Sequence, residues 1–238
     1  MIGPGTTVGQ MSTEEPPPQQ RRRGFSTGRL EAFSDGVFAI AVTLLVLDIA
    51  VSANAGHHLL RSIIDLWPAY LAYVVSFSTI GAAWLAHNAI TEYLEHTDTA
   101  FVRLNLVLLL LVSFLPFPTR LVADFIREDR AERVAVTFYG IVLLLSSTML
   151  LVLWRYAVRA RLVQPDTADE EIELLTQRLT PGLSAYLVLI VSGLFFPLVA
   201  VIGYLGIALY YIIPFRRLSA SILPRGRLKK RVRPPDPR

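Results

Sequence analysis

Long apolar segments constrain the fold of this chain more than any other feature. A helix needs about 20 mostly apolar residues to cross ~30 Å of hydrocarbon, and 53% of the 238 residues are hydrophobic. They are gathered into runs of that length, which is typical of membrane proteins. We place six spans at these positions: 33–51, 67–90, 101–119, 134–154, 181–196 and 198–215. The sequence therefore predicts an all-α integral membrane protein with one six-helix domain over residues 29–215.

The last apolar region, residues 183–215, is too long for a single span. Pro197 interrupts it, with Gly193 and Gly203 nearby. Proline removes a backbone donor from a helix, so we expect two helices joined by a tight turn at Pro197. Membrane helices tolerate proline, and one kinked helix is the alternative interpretation.

Two polar tails flank this domain. Residues 1–28 are polar and contain consecutive prolines and arginines, so they cannot bury enough surface to order themselves and we expect a disordered tail. Residues 216–238 carry nine basic residues. Such a basic tail is typical of a topology signal, and binding to anionic lipid headgroups is the alternative. No aromatic residue lies among its charges, so we expect no nucleic-acid partner.

The basic residues are distributed unevenly between the two sides of the membrane. With the N-terminus inside, 18 of the 23 basic residues fall on the cytoplasmic side and five outside. The positive-inside rule then places both tails in the cytoplasm. Nearly all of the basic residues are arginines, which suggests a GC-rich bacterial genome. We therefore expect a multi-pass protein of a bacterial plasma membrane.

The sequence offers no support for an enzyme. It has no cysteine, which excludes disulfides, thiolate metal sites and cysteine nucleophiles. Adjacent His57 and His58 lack convergent acids and are a weak metal signal. No zinc-protease, serine-hydrolase, P-loop or dinucleotide-binding motif is present. We expect neither catalysis, nor a metal site, nor a bound cofactor.

The first span presents an aliphatic stripe along one helical face. At about 100° per residue, Ile40, Thr43, Leu44 and Leu47 share one face, and Asp35 projects away from it. Such a stripe suits the lining of a pore, but it also suits packing against a neighbouring helix, and spacing alone favours packing.

Polar residues lie near the cytoplasmic ends of the first two spans, at a depth where lipid penalises them. Trp84, His87 and Asn88 share one face of the second span, level with Asp35. Buried polar groups must satisfy one another, so we expect a hydrogen-bonded network between adjacent helices. Its other expected members are Arg29, Ser34 and Asn105.

Two roles fit this polar network. The favoured one is structural, because buried polar groups usually specify packing. The other is a proton or ligand sensor centred on His87. Within the network we expect Ser34 to cap the N-terminus of the first span, and Asp35 in its first turn to interact with the helix dipole.

The same residues form a recognisable pattern. Residues 29–35 read R-x-x-x-F-S-D and continue as G-V-F-A-I-A-V-T-L-L-V-L-D. This segment resembles the signature of the transmembrane protein 175 family, the potassium channels of endosomes and lysosomes and their bacterial relatives. Residues 84–88 (WLAHN), Asn105, and the segments 113–119 (SFLPFPT) and 178–181 (RLTP) also resemble that family.

The resemblance implies a potassium channel. One six-helix repeat per chain would assemble as a homotetramer, with four first spans lining a central pore. Ile40 would then be the main apolar constriction, Leu44 and Leu47 further apolar rings, and Thr43 a ring of hydroxyls. No Thr-Val-Gly-Tyr-Gly filter is present, so selectivity for the permeant K⁺ over Na⁺ would be moderate.

Asp48 lies near the outer end of the first span, about 80° from Ile40 around the helix. Four copies would form an acidic mouth that concentrates cations, and an ordinary interfacial acid is an equal alternative. A secondary transporter and a non-conducting scaffold subunit remain the alternative functions. The mid-span charges typical of transporters are absent from the sequence.

Overall fold

The computed structural model describes residues 26–51 and 58–213, so the predicted tail 216–238 and most of the tail 1–28 lie outside the described residues. The described chain is helical, which confirms the predicted all-α class. Its helices are α1 Thr27–Leu44, α2 Leu59–Asp65, α3 Trp67–Glu92, α4 Thr99–Phe114, α5 Pro116–Phe125, α6 Ala131–Arg159, α7 Asp169–Leu179, α8 Pro181–Gly193 and α9 Pro197–Ile212.

Five helical stretches are long and apolar enough to cross a membrane, and α9 is a shorter apolar helix of 16 residues. The five stretches are Thr27–Asp48, Trp67–Glu92, Thr99–Phe125, Ala131–Arg159 and Asp169–Gly193. The chain is therefore a multi-pass membrane protein.

Prolines determine where three of the helices begin. Pro116, Pro181 and Pro197 are the first residues of α5, α8 and α9. A proline costs little at this position, because the first N–H groups of a helix have no partner within it. The third membrane stretch is therefore divided into α4 and α5, which meet at Leu115.

The last apolar region forms two helices and not one kinked helix. α8 ends at Gly193 and α9 begins at Pro197, so only three residues connect them. The two helices pack closely, and a Cβ added at Gly203 of α9 would clash with the side chain of Leu189 on α8. Small residues commonly permit this approach between membrane helices.

The helical ends differ from the hydropathy-based spans in two ways. α1 begins at Thr27 and α6 covers Ala131–Arg159, because a helix continues into water while hydropathy marks only the hydrocarbon-spanning part. At its other end α1 is shorter than expected. It stops at Leu44 and is followed by a 3-10 turn over Leu45–Asp48.

α3 occupies the centre of the bundle, where it packs against α1, α5, α6 and α9. A buried tyrosine cluster joins the last helices to this core: the ring of Tyr204 lies 5.7 Å from that of Tyr139 and 6.1 Å from that of Tyr186. α1 lies at the edge of the bundle and packs on one side only, mainly against α3 and α4. The opposite side of α1 is left uncovered by the described chain.

Two loops at one end of the bundle are joined by main-chain hydrogen bonds. The N–H of Glu95 donates to the carbonyl of Leu162, and the N–H of Gln164 donates to the carbonyl of Tyr93, both at 2.9 Å. The first loop connects α3 to α4 and the second connects α6 to α7. This end of the bundle is therefore held together by backbone contacts as well as by packing.

Asp98 strengthens the same end of the bundle. Its carboxylate caps α4 by accepting a hydrogen bond from the N–H of Phe101 at 2.7 Å, and it accepts a second from the hydroxyl of Tyr156 at 2.6 Å. Burial favours the neutral carboxyl, but these hydrogen bonds outweigh it and hold the pKa of Asp98 below its ordinary value.

Candidate pore helix and its polar anchors

α1 has one buried face. The buried residues Leu30, Ser34, Phe38, Ala41 and Leu45 follow one another at steps of three or four residues. That spacing places them in a single stripe along the helix, which packs against α3 and α4. α1 is therefore anchored from one side.

The opposite face of α1 carries the predicted aliphatic stripe. The side chains of Ile40, Leu44 and Leu47 are 60%, 42% and 70% exposed, and Thr43 is exposed beside them. No other part of the described chain covers these four residues. In a membrane such a face meets lipid, another copy of the chain or a water-filled path.

The hydroxyl of Thr43 is satisfied within its own helix. It donates to the carbonyl of Ile40 at 2.9 Å. A hydroxyl has one proton to donate and two lone pairs that accept, so this bond leaves the lone pairs of Thr43 free. The exposed stripe therefore contains one oxygen that can interact with a cation.

The 3-10 turn that follows α1 adjoins a charged cleft. Asp48 is half-buried and lines a cleft of about 400 Å³ together with Asp65, Arg120, Asp124 and Arg127. Arg120 pairs with Asp124 at 3.5 Å. Asp48 thus lies among charges of both signs, and not among acids alone.

A buried polar chain ties α1 to α3 and α4. The side-chain amide of Asn105 donates to the hydroxyl of Ser34 at 2.9 Å, and its carbonyl oxygen lies 2.9 Å from Nε2 of His87. At most 1% of each of these three residues is exposed. When Nε2 of His87 carries the imidazole proton, it donates to the carbonyl oxygen of Asn105, and the amide of Asn105 donates to the hydroxyl of Ser34. Each contact then joins a donor to an acceptor.

A second polar contact lies beside this chain, nearer the surface. The indole N–H of Trp84 donates to the carboxylate of Asp35 at 2.9 Å. One turn further along α1, the ring of Phe38 packs 5.6 Å from the imidazole of His87. Polar and aromatic contacts between α1 and α3 therefore cluster at one level of the bundle.

Some sequence expectations about these residues are corrected by the geometry. Ser34 does not cap α1 and Asp35 is not in its first turn, because the helix begins at Thr27. Arg29 is exposed, and its side chain forms no hydrogen bond or ion pair with the residues that the structure describes. Asn88, in contrast, is not removed from the network: it is half-buried and its side chain lies beside the imidazole of His87. Its carbonyl accepts a hydrogen bond from Thr91 at 3.1 Å.

Comparisons with known proteins bear directly on this arrangement. A sequence profile described as "Endosomal/lysosomal potassium channel TMEM175" matches residues 29–116, which include α3, α4 and nearly all of α1. A protein of Chamaesiphon minutus that is named a potassium channel is 42% identical over 166 residues, which make up 68% of this chain and 81% of that protein. The chain belongs to the TMEM175 family.

Further similarities extend beyond the matched segment. A protein of Streptomyces collinus, also named a potassium channel, is 44% identical over 134 residues, or 56% of this chain and 65% of that protein. The crystal structure of a lysosomal potassium-selective TMEM175 homologue from Chamaesiphon minutus gives a TM-score of 0.71 at 37% identity. That match covers 78% of this chain and 96% of the homologue. The TMEM175 fold therefore extends over most of this chain.

A second buried network, which the sequence analysis missed, lies partly beyond the segment that the TMEM175 profile matches. The hydroxyl of Ser76 lies 2.7 Å from that of Thr119 and 2.9 Å from that of Tyr139. Thr79 approaches the hydroxyl of Tyr139 at 3.1 Å. The signal for it was hydroxyl residues within otherwise apolar spans. It joins α3 to α5 and α6 in this TMEM175 member.

Proposed function

We propose that this chain is a moderately potassium-selective cation channel, formed by four copies that surround a central pore lined by α1. The observation that carries this proposal is the exposed face of α1, which is aliphatic with one hydroxyl and lies opposite a face anchored by packing and by buried hydrogen bonds. Relatives named potassium channels support the choice of ion. In this proposal the channel lies in a bacterial plasma membrane, which the origin of those relatives supports. Both termini lie in the cytoplasm, which the distribution of basic residues supports.

The proposed assembly gives the uncovered stripe a partner. Closed cyclic symmetry brings the same residue of each copy to the same level around the axis. Ile40, Leu44 and Leu47 then form three aliphatic rings, and Thr43 forms a hydroxyl ring about 4.5 Å along the axis from Ile40. The opposite face of each α1 stays anchored to its own α3 and α4.

The rings account for conduction with moderate selectivity. Aliphatic side chains cannot replace the water around an ion, so a narrow ring passes only ions that shed part of their hydration shell, and it closes when it dewets. Na⁺ holds its water more strongly than K⁺, so partial dehydration favours K⁺. The free lone pairs of Thr43 compensate part of this loss directly beyond Ile40.

The experiment is a current measurement on the purified protein in planar bilayers under a gradient of KCl against NaCl. We expect discrete single-channel steps and a reversal potential displaced towards that of K⁺. Ile40→Asn widens and hydrates the narrowest ring, so it should raise conductance and lower the selectivity for K⁺. Val188→Asn, at a position of α8 that is 67% exposed, is the matched control and should change neither.

Several outcomes would contradict the proposal. If the Ile40→Asn channel has the reversal potential of the wild type, Ile40 does not line the pore. Saturable, coupled flux without steps would indicate a transporter, and absence of flux would indicate a scaffold subunit. A measured subunit number other than four would exclude the proposed ring geometry.

A further inference from the structure

α7 presents an acidic face that the described chain does not cover. Four exposed carboxylates lie on the helix, and Asp166, which is also exposed, lies just before it. The four are those of Asp169, Glu170, Glu171 and Glu173. None of the salt bridges among the described residues includes any of the five. Within the described ranges, the one side-chain hydrogen bond to these carboxylates comes from Gln177, which donates to Glu173 at 3.0 Å.

The opposite face of α7 is firmly attached to the bundle. Leu179 is buried, and Ile172 and Leu175 pack against the core. The indole N–H of Trp154 on α6 donates to the hydroxyl of Thr176 at 2.8 Å. The acidic face is therefore a fixed surface whose position does not depend on its own charges.

The helix dipole accounts for only part of this acidity. Carboxylates in the first turn of a helix are stabilised by the dipole, which suits Asp169, Glu170 and Glu171. Asp166 precedes the helix and Glu173 lies beyond the first turn. Like charges four residues apart, such as Asp169 and Glu173, destabilise a helix. A positively charged partner would remove this repulsion.

The basic end of the chain starts beside α7. The guanidinium of Arg178 donates to the carbonyl of Tyr211 at 2.9 Å, so the last turn of α9 lies against the end of α7. The residues after Ile213 contain nine basic residues and one acid. An extended chain from Ile213 to Arg225 reaches up to about 40 Å, whereas α7 is about 16 Å long.

We propose that the basic segment 225–233 docks on the acidic face of α7 in the same chain. The charges are opposite in sign, and the connecting chain is long enough for the segment to run back along the helix. Because both parts belong to one chain, the contact forms at an effective concentration of the order of millimolar. The inference does not depend on the proposed channel function.

The sequence allows a specific test, because Lys229 and Lys230 are its only lysines. Carbodiimide joins a lysine amine to a carboxylate in direct contact, so any lysine crosslink within the chain reports the basic segment. In nanodiscs of neutral phosphatidylcholine we expect crosslinks from these lysines to the acidic face within single chains. They should decrease at least fivefold in about 0.5 M KCl, where screening is strong.

Two matched variants test whether the crosslinks require the carboxylates of α7 or form with any exposed carboxylate nearby. D169N/E170Q/E171Q/E173Q should lose the crosslinks, whereas E92Q/E95Q, which changes two exposed acids at the same end of the molecule, should retain them. The chain has no cysteine, so spin labels on Gln177→Cys and Arg227→Cys give a second measurement that leaves every acid intact. We expect a short, narrow distance distribution that broadens in high salt.

Three results would overturn the proposal. The first is equal crosslinking in the two acid variants together with a broad distance distribution at low salt. The second is crosslinks that join only different chains. The third is loss of the crosslinks and of the short distance when about a third of the lipid is anionic phosphatidylglycerol, which would assign the segment to lipid headgroups.

Discussion

Asn105 of α4 donates a hydrogen bond to Ser34 of α1 at 2.9 Å, and both residues are at most 1% exposed. The other end of the same side chain meets His87 of α3. One amide therefore links three helices at the level where α1 is anchored. Its removal leaves two buried polar groups without their partner.

Asn105→Leu should destabilise the protein, because Ser34 and His87 then lose a buried partner. We expect a cost of about 1–2 kcal/mol, because two buried polar groups are left without their partner, whereas a single polar contact between membrane helices contributes about 0.6 kcal/mol on average. Thermal denaturation of the purified protein measures it. Ser113→Ala is the control, since its hydroxyl is exposed and bonds only to the carbonyl of Leu110 on the same helix. Equal melting temperatures for the two variants would contradict the linking role.

Thr43→Val should change selectivity without changing stability. The substitution preserves the shape of the side chain and removes only an exposed hydroxyl that bonds within its own helix. We expect a severalfold lower ratio of K⁺ to Na⁺ permeability, read from the reversal potential. Thr43→Ser retains the hydroxyl and should behave as the wild type. A valine channel with unaltered permeability ratio would show that this oxygen does not meet the ion.

Asp98 should make stability depend on acidity. Its folded-state pKa lies below the ordinary value of 3.8, so its ionised form contributes stability above pH 3.8. That contribution is lost as the pH falls through the lower folded-state value. Asp98→Asn keeps a capping oxygen and removes the charge. We expect the variant to melt below the wild type at pH 7, and the difference to shrink as the pH falls below 3.8. If the difference in melting temperature stays constant down to about pH 3, the substitution acts through the geometry of the cap and not through the charge of Asp98.

Tyr139→Phe should loosen the junction of α3, α5 and α6. The variant keeps the ring and removes the hydroxyl that Ser76 and Thr79 contact. Neither serine nor threonine is left wholly unpaired, because Ser76 also contacts Thr119 and Thr79 donates to the carbonyl of Ser76. We therefore expect a cost of about 0.5–1.5 kcal/mol, smaller than that of Asn105→Leu. Tyr70→Phe, at a partly exposed position of α3 whose side chain forms no hydrogen bond among the described residues, is the control for loss of a tyrosine hydroxyl.

The sequence predicted the membrane helices and the break at Pro197 correctly, because one physical effect dominates each of them. Long apolar runs predict membrane helices because hydrocarbon leaves backbone groups no other partner, and Pro197 correctly predicts the break between α8 and α9. Helix ends were less accurate, because a helix such as α6 continues into water where hydropathy no longer reports it. For the same reason Ser34 was expected to cap α1, although the helix begins at Thr27 and Ser34 lies well inside it.

The polar contacts show a similar limit. Helical spacing places Trp84 and His87 on one face, but it does not say which residue of the neighbouring helices each one meets. The structure separates them: Trp84 contacts Asp35, and His87 contacts Asn105. The hydroxyl network around Tyr139 was missed because its members are distant in sequence and individually unremarkable in an apolar span. The assignment of Ile40, Thr43, Leu44 and Leu47 to a pore stays a prediction.

The one-sided attachment of α1 also has a mechanical consequence. Hydrogen bonds to α3 and α4 hold it at the level of Ser34 and Asp35, whereas from Phe38 to Leu45 the attachment is apolar packing. Hydrogen bonds are directional and apolar burial is not, so the C-terminal part of α1 shifts against its neighbours more easily than the part near Ser34. In the proposed pore, the aperture at Leu47 therefore changes more easily than the aperture at Ile40.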